Sequence, residues 1–279
     1  MIWTRIWAAH FNMPRDHRAG LSVYWAQYGT APDTLLIHCS LAHQGAWAPL
    51  VAKAGLNAIA FDMPGHGRSA KWDGVTDYQA QTTSIAHSFC DAPMHVMGHS
   101  FGATVALRLA LEHPASLRSL TLIEPVFFAA AQGTPEHAAH EVAFAPFVAA
   151  MEAEDRPRAA RLFTDIWGTG APWESLPDSQ QRALTDRIHL ILAGAPAINE
   201  DNAGQLTPGR LEALETPTLL LRGSRSNPVT AAINATLARR LPNATSHTIN
   251  GVGHMGPLTH AAVFAAHINR FQAHITTAV

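Results

Sequence analysis

The chain has 279 residues, of which 47% are apolar and 14% charged, with a formal net charge of −2. That is too apolar for a disordered chain and too sparsely charged for a coiled coil, and the absence of a basic surplus excludes a nucleic-acid binder driven by electrostatics. The two cysteines, Cys39 and Cys90, cannot form a disulfide framework, whereas 17 histidines raise the question of a metal. Met1–Trp7 leads into no long apolar stretch, and the longest apolar runs (126–131 and 188–193) are well short of a membrane span. A cytoplasmic protein without a membrane span is expected.

Short apolar runs alternate with helix-like segments, the pattern of a mostly parallel α/β sheet. Leu21–Tyr28 alternates and reads as an early edge strand. Thr34–His38 and Asn57–Phe61 read as buried strands, the second followed by the breaker-rich loop Asp62-Met63-Pro64-Gly65-His66-Gly67. Met94–Met97 is a further strand, Phe101–His113 a helix closed by Pro114, and Leu117–Ile123 a strand ending at Glu124-Pro125. From Val126 to Thr207 the sequence is Ala-rich and helical, with breakers at Gly168, Gly170, Pro172 and Pro177 and no convincing strand. The α/β rhythm then returns: strand Pro217–Arg222, helix Ala231–Leu241, strand Thr245–Ile249, and final helical turns from Pro257 to Phe271. The expected organisation is one α/β core (1–125 and 208–279) interrupted by a helical insertion (126–207).

Gly98-His99-Ser100-Phe101-Gly102 stands between a strand and a helix. Such a turn is too tight for a Cβ at the glycine positions, and it lifts the serine hydroxyl to a helix N-terminus. The bare G-x-S-x-G pattern has about a one-in-twenty chance of occurring in a chain this long, so its position carries the inference. Four elements in order resemble the α/β-hydrolase superfamily: the strand end His38-Cys39-Ser40, the loop Asp62–Ser69, the turn at Ser100, and Gly253-His254 near the C-terminus. The resemblance covers nearly the whole chain. It implies a mostly parallel central sheet flanked by helices, with 126–207 as the cap domain.

A serine nucleophile needs a base, and the base an orienting carboxylate. The resemblance implies Ser100 as nucleophile and His254, in a glycine-flanked loop, as base. The acid departs from the common pattern. The loop Gly223–Val229, where the family usually carries it, has no carboxylate and holds Asn227. A minority of the family carries the acid one strand earlier, which points to Glu124, with Asn227 as the alternative third member. The oxyanion hole is expected from the backbone N–H groups of Phe101 and of Ser40, with Leu41 as the fallback. Here too the chain departs from the family, having His38-Cys39 in place of His-Gly. Cys39 reads as a buried residue rather than a reactive thiol.

Phe127, Phe128, Phe144, Phe147, Trp167 and Trp173 are candidates for a substrate pocket, although apolar helical spacing is first a packing signal. His137-Ala138-Ala139-His140-Glu141 matches no zinc motif, and Gly65-His66-Gly67 is too short for a dinucleotide fingerprint. No metal and no cofactor is expected. The partner is a small molecule, and nothing indicates an oligomer. The sequence therefore points to a cofactor-free serine hydrolase of a small, mostly apolar ester. Two alternatives stand beside it: a C–C bond hydrolase or lactonase with the same residues, and a ligand-binding protein whose site has decayed.

Overall fold

A computed structural model describes residues 14–276, so Met1–Trp7 lies outside the described residues. Among the described residues eight strands form one sheet: β1 Arg15–Arg18, β2 Leu21–Tyr28, β3 Thr34–Ile37, β4 Ala58–Phe61, β5 Met94–His99, β6 Leu117–Ile123, β7 Thr218–Gly223 and β8 Ala244–Ile249. Their order is β1-β2-β4-β3-β5-β6-β7-β8. The β1–β2 and β2–β4 pairs are antiparallel and the rest parallel. The expected edge strand Leu21–Tyr28 is second in the order, because β1 pairs with its first half, Leu21–Tyr24, while β4 pairs with Trp25–Tyr28. β1 carries no apolar alternation in the sequence, because Arg15-Asp16-His17-Arg18 is wholly polar.

Helices cover both faces, which is why β3 and β5 are buried along their whole length instead of alternating. On one face α2 (Tyr78–His87), α3 (Phe101–Glu112) and α9 (Val229–Arg240) pack Ile85, Leu107 and Ile233 against Leu35, Val96 and Leu120. On the other, α1 (Ala48–Ala54) and α11 (Ala261–Thr276) pack Leu50, Phe264 and Ile268 against Leu36, Met97 and Leu219. Each fully buried side chain of this size contributes about 1.5–3 kcal/mol. Neither α1 nor α2 was anticipated. α1 is marked only by a proline in its first turn and by Gly55 closing it at φ 68°.

Among the described residues, 124–217 contain no strand. The segment holds α4 (Pro135–Glu152), α5 (Arg156–Trp167), α6 (Asp178–Arg187), α7 (Leu190–Ala193) and α8 (Ala195–Asn199). Thr134 and Asp155 cap α4 and α5 by accepting from the N–H groups of His137 and Arg158. Phe147, Ala150, Ala159, Ala160 and Ile188 form a small core of their own with Leu41. The breakers 168–177 separate α5 from α6. The last helical turns divide at His260 into α10 (Gly256–Thr259) and α11.

Candidate active site

Ser100 joins β5 to α3 with φ 58° and ψ −120°, a conformation that L side chains rarely adopt. A Cβ at Gly98 would lie 2.1 Å from the Gly102 carbonyl oxygen, and one at Gly102 would lie 2.3 Å from that of Ile37. The glycines are therefore what let α3 start directly against β3 and β5. The Ser100 N–H donates to Ile123 O at 2.9 Å, tying the turn to the end of β6.

His254 follows β8 in the loop before α10. Its Nε2 accepts from Ser100 Oγ at 3.0 Å and its Nδ1 donates to Glu124 Oε2 at 3.3 Å. Glu124 follows β6 with φ 52° and has no exposed surface. A carboxylate so placed needs partners. Oε1 accepts from the Gly223 N–H and from Ser226 Oγ, the latter at 2.6 Å, while Oε2 faces the imidazole. The β6–β7 pairing sets this up, since the Glu124 N–H donates to Leu221 O at 2.8 Å and so brings the side chain beside Gly223. His99 Nε2 donates to His254 O at 2.9 Å, and Trp167 packs edge-on at 4.8 Å from the His254 ring.

Asn227 is engaged elsewhere. Its Oδ1 accepts from the Val229 N–H at 3.2 Å at the start of α9, and no hydrogen bond joins it to His254 among the described residues. Its neighbour Ser226 is the residue of that loop whose side chain reaches Glu124, and sequence reading missed it. The signal was available: small hydroxyl side chains stand in a loop that holds no carboxylate.

Ser40 and Phe101 line one cavity with Ser100, and among the described residues neither amide has an acceptor. The fallback Leu41 is occupied, because its N–H donates to His66 Nε2 at 3.0 Å. The same loop is held by His38, whose Nδ1 donates to Cys39 O at 2.7 Å and whose Nε2 accepts from the Met63 N–H at 3.0 Å. Accepting at Nε2 requires neutral rings. Burial supplies that condition, lowering His38 to about 4 and His66 well below 6.5. Asp62 completes the scaffold by accepting from the N–H groups of Gln44 and Arg68.

The cavity measures about 690 Å³ with its open mouth included. Phe128, Phe144 and Trp167 line it, joined by Val126, Phe163 and Ile198. Phe127 and Phe147 are fully buried in the cores, and Trp173 packs on the helical cluster, so these three candidates stand outside it. Cys39 is enclosed and burial raises its thiol to about 12; Cys90 is raised to about 11, first by burial and then by Asp91. Among the described residues no three His, Cys, Asp or Glu side chains group as metal ligands. His137 pairs with Glu141 at 3.4 Å, while His140 turns away into the aromatic lining.

The chain is similar to known proteins over most of its length. Residues 34–267 match the model of the alpha/beta hydrolase family, and the chain belongs to that family. Within it, the chain is an esterase-like hydrolase enzyme. It is 29% identical over 266 residues to a pimeloyl-[acyl-carrier protein] methyl ester esterase of Methylococcus capsulatus, covering 88% of this chain and 96% of that protein. It is 30% identical over 257 residues to the esterase of the same name from Xanthomonas campestris, with the same coverage. Among solved structures, a thermophilic esterase superposes with a TM-score of 0.74 at 19% identity, covering 95% of this chain and 99% of that one.

Proposed function

We propose that the chain is a cofactor-free serine esterase acting on a small, mostly apolar ester, with Ser100, His254 and Glu124 as its catalytic triad. Ser100 Oγ attacks the ester carbonyl as its proton passes to His254 Nε2, and a C–O bond forms while the carbonyl π pair moves onto oxygen. The Ser40 and Phe101 N–H groups hold that oxyanion. Collapse of the intermediate expels the alcohol, which takes the proton from His254 and leaves an acyl-enzyme. Water, deprotonated by His254, then attacks the acyl carbon and releases the acid, returning the proton to Ser100. Glu124 holds His254 with Nδ1 protonated and stabilises the imidazolium.

The observation carrying this reading is the unbroken hydrogen-bonded line from Ser100 Oγ through His254 to the buried Glu124. In this proposal residues 126–207 act as a cap over the site, and the aromatic lining that they share accounts for an apolar substrate. The enzyme is proposed to be cytoplasmic, which cell fractionation tests. The activity test is hydrolysis of short-chain p-nitrophenyl esters by the parent and by Ser100→Ala. Equal turnover by the two proteins would overturn the mechanism.

A further inference from the structure

His140 lines the cavity above Ser100 and retains only 5% of its surface exposed. Its ring stacks on Phe128 at 4.4 Å and meets Phe144 and Trp167 at 5.3 and 5.5 Å, and Trp167 in turn contacts the His254 ring at 4.8 Å. Neither ring nitrogen has a hydrogen-bond partner among the described residues, and Nδ1 is fully enclosed. Among the described residues, His140 Nδ1 is the enclosed polar atom without a partner whose residue lines this cavity. Phenylalanine would fill such a place without that penalty, as it does at Phe128 and Phe144. An imidazole left unpaired in an aromatic wall calls for a partner that arrives with the ligand.

We infer that His140 is a specificity-determining residue that hydrogen-bonds an uncharged keto or hydroxyl oxygen on the substrate's acyl chain, a few bonds from the scissile carbonyl. The inference rests on the esterase reading above. The ring is neutral near pH 7, since burial first and His137 second lower it to about 4. With Nδ1 enclosed, the ring meets a ligand through Nε2, which is a donor or an acceptor according to the tautomer and carries no charge; that suits a ketone or alcohol and gives no ion pair to a carboxylate or phosphate. The aromatic stack fixes the ring plane, so its polar edge is presented in one orientation.

The test compares p-nitrophenyl hexanoate with its 4-oxo and 5-oxo analogues on the parent, His140→Phe and His140→Gln, each checked for folding by circular dichroism. For at least one oxo ester, the ratio of its kcat/KM to that of hexanoate should fall about tenfold in His140→Phe. That is the scale of one neutral hydrogen bond, and it should appear mainly in KM. His140→Gln should recover part of the ratio. Ratios equal in parent and His140→Phe for both oxo esters would overturn the inference. If the parent hydrolyses none of these esters, the esterase reading fails separately. Binding of methyl 5-oxohexanoate against methyl hexanoate to Ser100→Ala and Ser100→Ala/His140→Phe, read by tryptophan fluorescence, then decides His140. A preference for the keto ligand lost with His140 supports the inference, and no preference refutes it.

Discussion

Ser226 donates its hydroxyl to Glu124 Oε1 at 2.6 Å, from the same loop that holds Asn227. The loop holds no carboxylate of its own, and the carboxylate that its hydroxyl serves sits at the end of the neighbouring strand.

Replacing Glu124 by Gln should lower kcat by about 10²–10⁴, because an amide cannot stabilise the imidazolium and permits the wrong tautomer. Ser226→Ala should cost about tenfold, since the Gly223 N–H still holds the same oxygen. Asn227→Asp should not rescue Glu124→Gln, as the Asn227 side chain is turned to Val229. Steady-state kinetics on p-nitrophenyl esters check all three. A rescued double variant would move the acid role to position 227.

Ser100→Gly should abolish turnover and raise stability. A serine at φ 58° carries strain of about 1–3 kcal/mol that glycine lacks, offset in part by the extra unfolded-state entropy of glycine. A net gain of about 1 kcal/mol is expected by urea denaturation. A loss of stability would show that the turn is not strained.

Gly102→Ala should be severe. Its Cβ would meet the carbonyl oxygens of Ile37 and His38 at 2.3 and 2.5 Å, and backbone atoms inside the sheet cannot step aside cheaply. Thermal unfolding should show a loss of more than about 3 kcal/mol together with activity. A variant with parental stability would contradict the tight α3–β3 approach.

Acid should weaken the fold before the carboxylates titrate. In the folded chain burial holds His38 at about 4, His99 at about 3 and His66 well below 6.5, whereas the unfolded chain protonates each near 6.5. The unfolded state therefore binds more protons as pH falls below 6.5. Stability is full above that value and drops by about 1.4 kcal/mol per group and pH unit on the way toward the folded pKa values. Urea midpoints measured near neutrality and at about pH 5 should fall clearly. A flat profile would mean that these rings are not held neutral.

What the sequence determined by itself was local. The turn at Ser100 is legible because strand, glycines and helix lie within a few residues, so the geometry that lifts the hydroxyl is written consecutively. The buried strands of the centre are legible for the same reason, as short apolar runs between breakers. Glu124 and His254 are named by the sequence as candidates, but their meeting across 130 positions depends on which strands are neighbours. The β6–β7 register brings Glu124 beside Gly223 and Ser226, and no periodicity in either strand encodes that pairing. The polar strand β1, the helices α1 and α2, and the division of the aromatic residues between core and cavity were likewise decided by packing. His140 shows the limit most clearly. Its spacing from His137 matches no zinc motif and gives it no role, and only the tertiary fold turned the two rings apart, one toward Glu141 and the other into the wall above Ser100.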